Sequence, residues 1–290
     1  MRIAESELIL NPNGSIYHLN LRPEDISDII ITVGDQDRVE MVSKHFDIIE
    51  FESQKREFKT HTGFYKGRRM TVLSTGIGID NIDIVLNELD ALANIDLKTR
   101  TIKDKLKSLN IIRIGTSGGI HDFVELDKFV MSKYGLGFDG LMHYYDNDVS
   151  DRGAVEKLTK TIKLDSRKAE PYLVKSNDEL AELFEMEINV VSGITTTNIG
   201  FYAPQGRILR IKPNDKELIE DLSKFKYNGY HVTNMEMETS AIYALSKMMG
   251  HKALAMNAIV ANRTTGEFSK NSKGVVEDLI VFTLNKLANI

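Results

Sequence analysis

The sequence predicts an α/β fold laid out as a single domain, and three observations carry that reading. Continuous β-branched runs such as Ile29–Val33 (IIITV) and Val190–Thr197 (VVSGITTT), bounded by glycine or polar turns, have the length and composition of buried strands. Amphipathic segments lie between such runs, the clearest placing Ile82, Val85, Leu86, Leu89 and Leu92 on one helical face. No linker-like stretch or internal repeat interrupts the alternation over 290 residues, the weakest candidate boundary being the polar region Asp146–Asn189.

Composition narrows the function classes. A net charge of −5 gives no electrostatic reason to bind nucleic acid or an anionic membrane. The chain has no cysteine, which removes disulfides, thiolate nucleophiles and cysteine-based zinc sites, and suits a reducing cytoplasm. No apolar run approaches the ~20 residues of a membrane span, and MRIAESELIL does not read as a signal peptide, so a cytoplasmic protein is expected. The histidines show no HExxH or paired spacing, and no metal site is expected.

Residues 1–24 are polar and turn-rich, contain His18, and read as a surface arm. Ile29–Val33 then runs through GDQDRV (Gly34–Val39) into a segment with Val39, Val42 and Phe46 at helical spacing. A strand, a glycine turn and a helix start aim backbone N–H groups and the positive end of the helix dipole at one spot, which suits an anion. Arg38 in the first turn either holds that anion or is simply solvated.

Arg56–Tyr65 and Arg69–Ser74 read as two strands about a Lys66-Gly67 turn. STGIGID (Ser74–Asp80) precedes the amphipathic helix, but a dinucleotide fingerprint would need glycine at Asn81, and there is no P-loop. The basic stretch Leu97–Ser108, within an insert at 97–110, reads as a solvated helix or excursion. Ile111–Ile120 (IIRIGTSGGI) reads as a buried strand opening into a Gly/Ser/Thr turn. There Arg113 brings a fixed charge, Thr116 and Ser117 bring hydroxyl donors, and phosphate is the natural guest; the alternative is an ordinary turn with an outward arginine.

Phe129–Met131 continues the sheet and Leu180–Phe184 is a short helix. After Val190–Thr197, the loop NIGFYAPQGR combines Phe201 and Tyr202 with Gln205 and Arg207. That pairing of stacking surface with hydrogen-bonding groups suits a planar heterocycle, or equally a packed loop. A polar helix near Lys216–Phe225, a strand Val232–Met237 and a helix bearing Ala241, Ala244, Leu245 and Met248 follow. Glu236 and Glu238, two apart, would share a strand face and could grip sugar hydroxyls, unless Glu238 merely starts the helix. Ala258–Ala261 is the last strand, and Val276, Ile280, Thr283 and Leu287 mark the closing helix.

Taken in order, GDQDRV, KREF, STGIGIDN, IIRIGTSGGI, GFYAPQGR, NMEMETSA and AIVANRT resemble the successive signatures of the nucleoside phosphorylases, specifically the uridine phosphorylases, over nearly the whole chain. The resemblance implies a three-layer α/β/α fold with a mixed, barrel-like central sheet, and reversible phosphorolysis of uridine, with no cofactor beyond phosphate as co-substrate. Carried over residue by residue, it places phosphate on Gly34, Arg38, Arg113 and Thr116, with Arg56 arriving from a neighbouring subunit. It places ribose on Met237 and Glu238 with His18 of the neighbour, and uracil on Phe201, Gln205 and Arg207. Arg113, Arg207 and Glu238 would carry the catalysis.

Gln36 stands where the family usually has proline, and Ile79-Asp80-Asn81 where many bacterial members have Gly-Pro-Ser. These departures look like the dimeric eukaryotic branch, leaving a homodimer or a hexamer built from dimers. A monovalent cation around Glu57 also stays open. The rivals are a purine phosphorylase or nucleosidase, against which the sequence offers Asn262-Arg263 in VANRT in place of an aspartate, and a silent nucleoside-binding protein, against which it retains the phosphate arginines.

Overall fold

Strand β1 (Ile29–Val33) is buried at every position because both its faces are covered: Ile30 packs into one apolar core, and Ile29, Ile31 and Val33 into another. In the computed structural model, which describes residues 2–163, 165–185 and 187–290, this sandwiching extends across the molecule. After β1 come α1 (Gln36–Ser43) and a meander of β2 (Ile48–Lys55), β3 (Phe58–Tyr65) and β4 (Arg68–Ser74). Helix α2 (Ile79–Asn94), the short β5 (Ile95–Asp96) and β6 (Thr101–Ile102), and the long β7 (Asn110–Gly119) and β8 (Phe129–Gly137) follow. The second half runs α3 (Arg152–Thr161), β9 (Tyr172–Lys175), α4 (Asp178–Glu182), β10 (Val190–Thr197), α5 (Leu218–Lys224), β11 (Lys226–Tyr227) and β12 (Tyr230–Glu236). It ends with α6 (Thr239–Met248), β13 (Lys252–Asn262), β14 (Glu267–Phe268) and α7 (Ser272–Leu287).

Strand β7 organises the sheet. It pairs in parallel with β1 and β13, and its last two residues pair antiparallel with β12. The ring β7–β13–β8–β10–β12–β7 therefore closes as a mixed five-strand barrel, and β1–β4–β3–β2 extends from it as a wing. Register shifts at Gly193/Ile194, Ile194/Thr195 and Ile259/Ala261 supply the local bends that closure needs. Helices α2 and α6 cover the core that holds Ile30, Ile111 and Ala255; α1, α4 and α7 cover the one that holds Ile31, Ile112 and Met256. The expected three-layer α/β/α arrangement around a barrel-like sheet is what the chain adopts.

Several expectations need correction. The Gly/Ser/Thr stretch after Arg113 is not a turn: Thr116 and Ser117 pair with Ala258 and Ile259, and Gly118 and Gly119 with Met235 and Asn234, so strand pairing on both sides keeps it extended. The arm at 1–24 is not a surface arm, since Leu8, Ile16, Leu19 and Leu21 are buried in the α2 core despite lacking any regular period. Of the two readings of the basic insert, helix or excursion, the chain takes the excursion. It forms the β5–β6 hairpin, and Lys103 Nζ reaches the Ala93 carbonyl at 2.8 Å, placing a cation at the C-terminal end of α2. Strand β9, inside the polar region Asp146–Asn189, pairs antiparallel with β8. Strand β2, absent from the sequence reading, is an edge strand whose exposed faces hide the usual alternation.

Candidate active site

A cavity of about 960 Å³ opens beside the barrel mouth where the C-terminal ends of β1, β7, β12 and β13 meet. Gly34, Arg38, Arg113, Thr116, Phe201, Gln205, Arg207, Met237 and Glu238 all line it, although they come from four separate stretches of sequence. His18 and Arg56 do not line it. His18 is held in its own chain by Glu88, which accepts from the His18 and Leu19 backbone N–H groups and lies 2.7 Å from the imidazole Nδ1. Arg56 occupies the β2–β3 turn at φ 56°, where its carbonyl accepts from Gln36 Nε2 at 2.7 Å. Proline at position 36 could not make that bond. Glu57, next to Arg56, does line the cavity.

At one end the start of α1 and the middle of β7 converge. The Asp35 side chain caps α1 by accepting from Asp37 N–H, which fixes the helix start that delivers Arg38. Burial, and then the charge of Arg113, lower the pKa of Arg38, so two guanidinium groups confront each other at this end of the cavity. An anion between them would relieve that repulsion.

Arg113 is itself almost fully buried. Its Nη2 lies 2.5 Å from Glu238 Oε2 and 3.3 Å from Glu236 Oε2, and its Nη1 donates to Asn257 Oδ1 at 2.8 Å. Burial opposes the Arg113 charge, but Glu236 and Glu238 outweigh it and raise the pKa. Burial raises the pKa of Glu236, against the pull of Arg113.

The two acids do not share a strand face as expected, because β12 ends at Glu236 and the chain turns into α6. Glu236 accepts from the N–H groups of Glu238 and Thr239 and from Thr197 Oγ1, so it caps the helix. Glu238 occupies the N-cap position without capping, and its other oxygen takes the Gly78 N–H at 2.8 Å. The STGIG segment, which fails as a dinucleotide motif and falls within one of the phosphorylase-like signatures, thus supports the candidate sugar ligand. Gly76 there has φ 73°, and a Cβ would fall 2.3 Å from Asn81 Nδ2.

At the other end, the loop after β10 folds onto itself. The Arg207 guanidinium lies 3.7 Å from the Phe201 ring centroid and donates to Gln205 Oε1 at 2.6 Å. Gln205 is buried while Phe201 is half exposed. Arg263, read in sequence only as standing in for a purine-type acid, also lines this end and donates to the Gln205 carbonyl at 2.9 Å. Burial and then Arg263 lower the pKa of Arg207 to about 10.

The phosphorylase superfamily profile matches residues 28–285. The chain is 30% identical over 260 residues to the uridine phosphorylase of Thermococcus kodakarensis, covering 89% of this chain and 81% of that protein. It is 24% identical over 279 residues to a DeoD-type purine nucleoside phosphorylase of Buchnera aphidicola subsp. Acyrthosiphon pisum, covering 94% and 99%. A solved Trypanosoma brucei nucleoside phosphorylase, described as showing uridine phosphorylase activity, superposes with a TM-score of 0.84 at 28% identity, covering 98% of this chain and all of that one.

Proposed function

The chain belongs to the phosphorylase superfamily, and from that premise we propose that it is a uridine phosphorylase, a pentosyltransferase that converts uridine, with deoxyuridine as a further candidate substrate, reversibly to uracil and the (deoxy)ribose 1-phosphate in pyrimidine salvage. The observation that carries this reading is the direct contact between Arg113, beside the anion end of the cavity, and Glu238, the candidate sugar carboxylate. Phosphorolysis requires phosphate to sit against the sugar it attacks, and this contact joins the two subsites.

The chemistry follows from charge. Breaking the C1′–N1 bond builds cationic character on the ribose and negative charge on the base, so no side-chain nucleophile is needed. Arg38, Arg113 and Thr116 hold the phosphate that attacks C1′, with Gly34 at the start of α1 giving it backbone access. Glu238 and Met237 orient the sugar. Gln205 and Arg207 address the carbonyl edge of uracil, Arg207 binding more tightly as charge develops there, and Phe201 offers a ring surface at the same end.

His18 and Arg56 complete this reading from a partner copy. Their positions outside their own chain's cavity support a site shared within a homodimer or a hexamer of dimers. A cytoplasmic setting accords with the absence of cysteine.

The test is base release from uridine, inosine and methylthioadenosine, each with and without phosphate. Uridine cleavage that requires phosphate is expected. Phosphate-independent release would make the protein a nucleosidase, preference for inosine a purine phosphorylase, and binding without turnover a silent nucleoside-binding protein.

A further inference from the structure

The barrel interior contains a hydrogen-bonded chain that touches every barrel strand and begins and ends on cavity residues. Arg113 of β7 donates to Asn257 of β13 at 2.8 Å, and Asn257 Nδ2 donates to Ser132 Oγ of β8 at 3.2 Å. Ser132 meets Thr195 of β10 at 2.5 Å, Thr195 donates to Asn234 Oδ1 of β12 at 2.8 Å, and Asn234 Nδ2 donates to Ser117 Oγ of β7 at 2.8 Å. Every member is buried. Each amide has its oxygen and nitrogen engaged by different partners, so neither Asn257 nor Asn234 can flip without breaking those bonds.

Gly115 explains how Arg113 fits this chain. Strand alternation puts Arg113, Gly115 and Ser117 on one face. A Cβ on Gly115 would lie 1.7 Å from Arg113 Nη1 and 2.5 Å from its Cζ. The guanidinium therefore lies directly over the Gly115 backbone, and glycine is required there for space, since its φ is not in the left-handed region.

We propose that Gly115 and Asn257 are the positioning residues of the phosphate subsite: Gly115 provides the bed, and Asn257 the lateral anchor, that fix the plane of the Arg113 guanidinium. This rests on the reading of Arg113 as a phosphate ligand. Glu236 and Glu238 hold one side of the guanidinium, and two carboxylates alone would leave it free to swing toward them. Asn257 fixes the other side, and a guanidinium has five N–H donors, so some remain available to an anion. Neither positioning residue lines the cavity, so neither touches substrate.

The experiment compares Gly115→Ala, Asn257→Leu and the milder Asn257→Ser with Arg113→Lys in steady-state kinetics, varying phosphate and uridine separately and recording melting temperature. Displacing an oriented group by about 1 Å costs up to ~100-fold. Phosphate KM should accordingly rise about 10- to 100-fold in Gly115→Ala and Asn257→Leu and less in Asn257→Ser, with uridine KM at saturating phosphate nearly unchanged. If Asn257→Leu does not fold, Gly115→Ala and Asn257→Ser decide. A normal phosphate KM in the folded variants, or a parallel rise in uridine KM, overturns the proposal. If Arg113→Lys also leaves phosphate KM unchanged, the reading of Arg113 falls with it; if only Arg113→Lys raises it, the reading stands and the positioning role fails.

Discussion

Arg113 Nη2 lies 2.5 Å from Glu238 Oε2, so the candidate phosphate ligand and the candidate ribose ligand are a single buried ion pair. Removing one member leaves the other charged and without its partner, a loss of roughly 3–5 kcal/mol for a buried pair. Arg113→Ala should therefore abolish phosphate-dependent turnover and also lower the melting temperature, because it strands Glu236 as well as Glu238. Adding Glu238→Gln should restore part of the stability and none of the turnover. A double variant no more stable than Arg113→Ala would show that the pair is not energetically coupled.

Glu236 should make stability depend on pH. Burial holds its pKa above the ordinary value of 4.5, so the native state binds a proton that the unfolded chain does not. Its contribution therefore grows as pH falls through the raised pKa toward the ordinary one, and is lost as pH rises again. Glu236→Gln should flatten this slope relative to wild type while lowering stability overall, since the amide removes the charge facing Arg113 and, if its oxygen keeps the Glu238 and Thr239 N–H groups, sets its nitrogen where Thr197 Oγ1 now donates. Parallel melting-temperature profiles from pH 5 to 8 would refute it.

Arg207 is charged only below its depressed pKa of about 10, a value set first by burial and then by Arg263. The kcat/KM for uridine should fall on the alkaline side as this guanidinium deprotonates. Arg263→Gln removes the like charge and should move that limb upward, by a modest amount because burial remains. Ionisation of uridine itself is common to both enzymes, so the comparison isolates Arg207; coincident alkaline limbs would remove Arg263 from its environment.

Some of this organisation was readable in the sequence and some was not. The bounds of β1 and β10 coincide with their β-branched runs; β1 is buried at every position, and β10 is buried from Gly193 onward. The 1–24 arm misleads because its leucines are buried in irregular chain, where no period advertises them. Arg113 and Glu238 are 125 positions apart and meet only because β12 closes the barrel onto the end of β7, a pairing that spacing does not encode. Gly115 looked like part of a turn, and only the path of the Arg113 side chain shows why glycine is there.

A shared site predicts complementation between inactive subunits. His18 and Arg56 do not line the cavity of their own chain, whereas Glu238 does. Mixing Arg56→Ala with Glu238→Ala subunits should restore part of the activity, because one composite site in the hybrid contains neither substitution. Exchange of subunits shown by differential tagging, with no recovery of turnover, would place the complete site within one chain.

The last prediction concerns the base. A purine leaving group calls for a proton donor at N7, and the end of β13 offers Asn262 instead. Both ends of that amide are already committed. Its Nδ2 donates to the carbonyls of His121 at 2.8 Å and Val124 at 3.0 Å, and its Oδ1 accepts the N–H groups of Thr264 and Thr265. Asn262 is thus the clasp between the segment after β7 and the β13–β14 hairpin. Asn262→Asp should not create purine activity. It would set a carboxylate oxygen against two carbonyls and cost about 1–3 kcal/mol of stability. Since sites built to hydrogen-bond one substrate reject others by large factors, uridine should be cleaved at least ~1000-fold more efficiently than inosine by the wild type. A wild-type preference for inosine would sink the uridine assignment, and an Asn262→Asp enzyme that gained inosine cleavage at an unchanged melting temperature would show the side chain free to face the base.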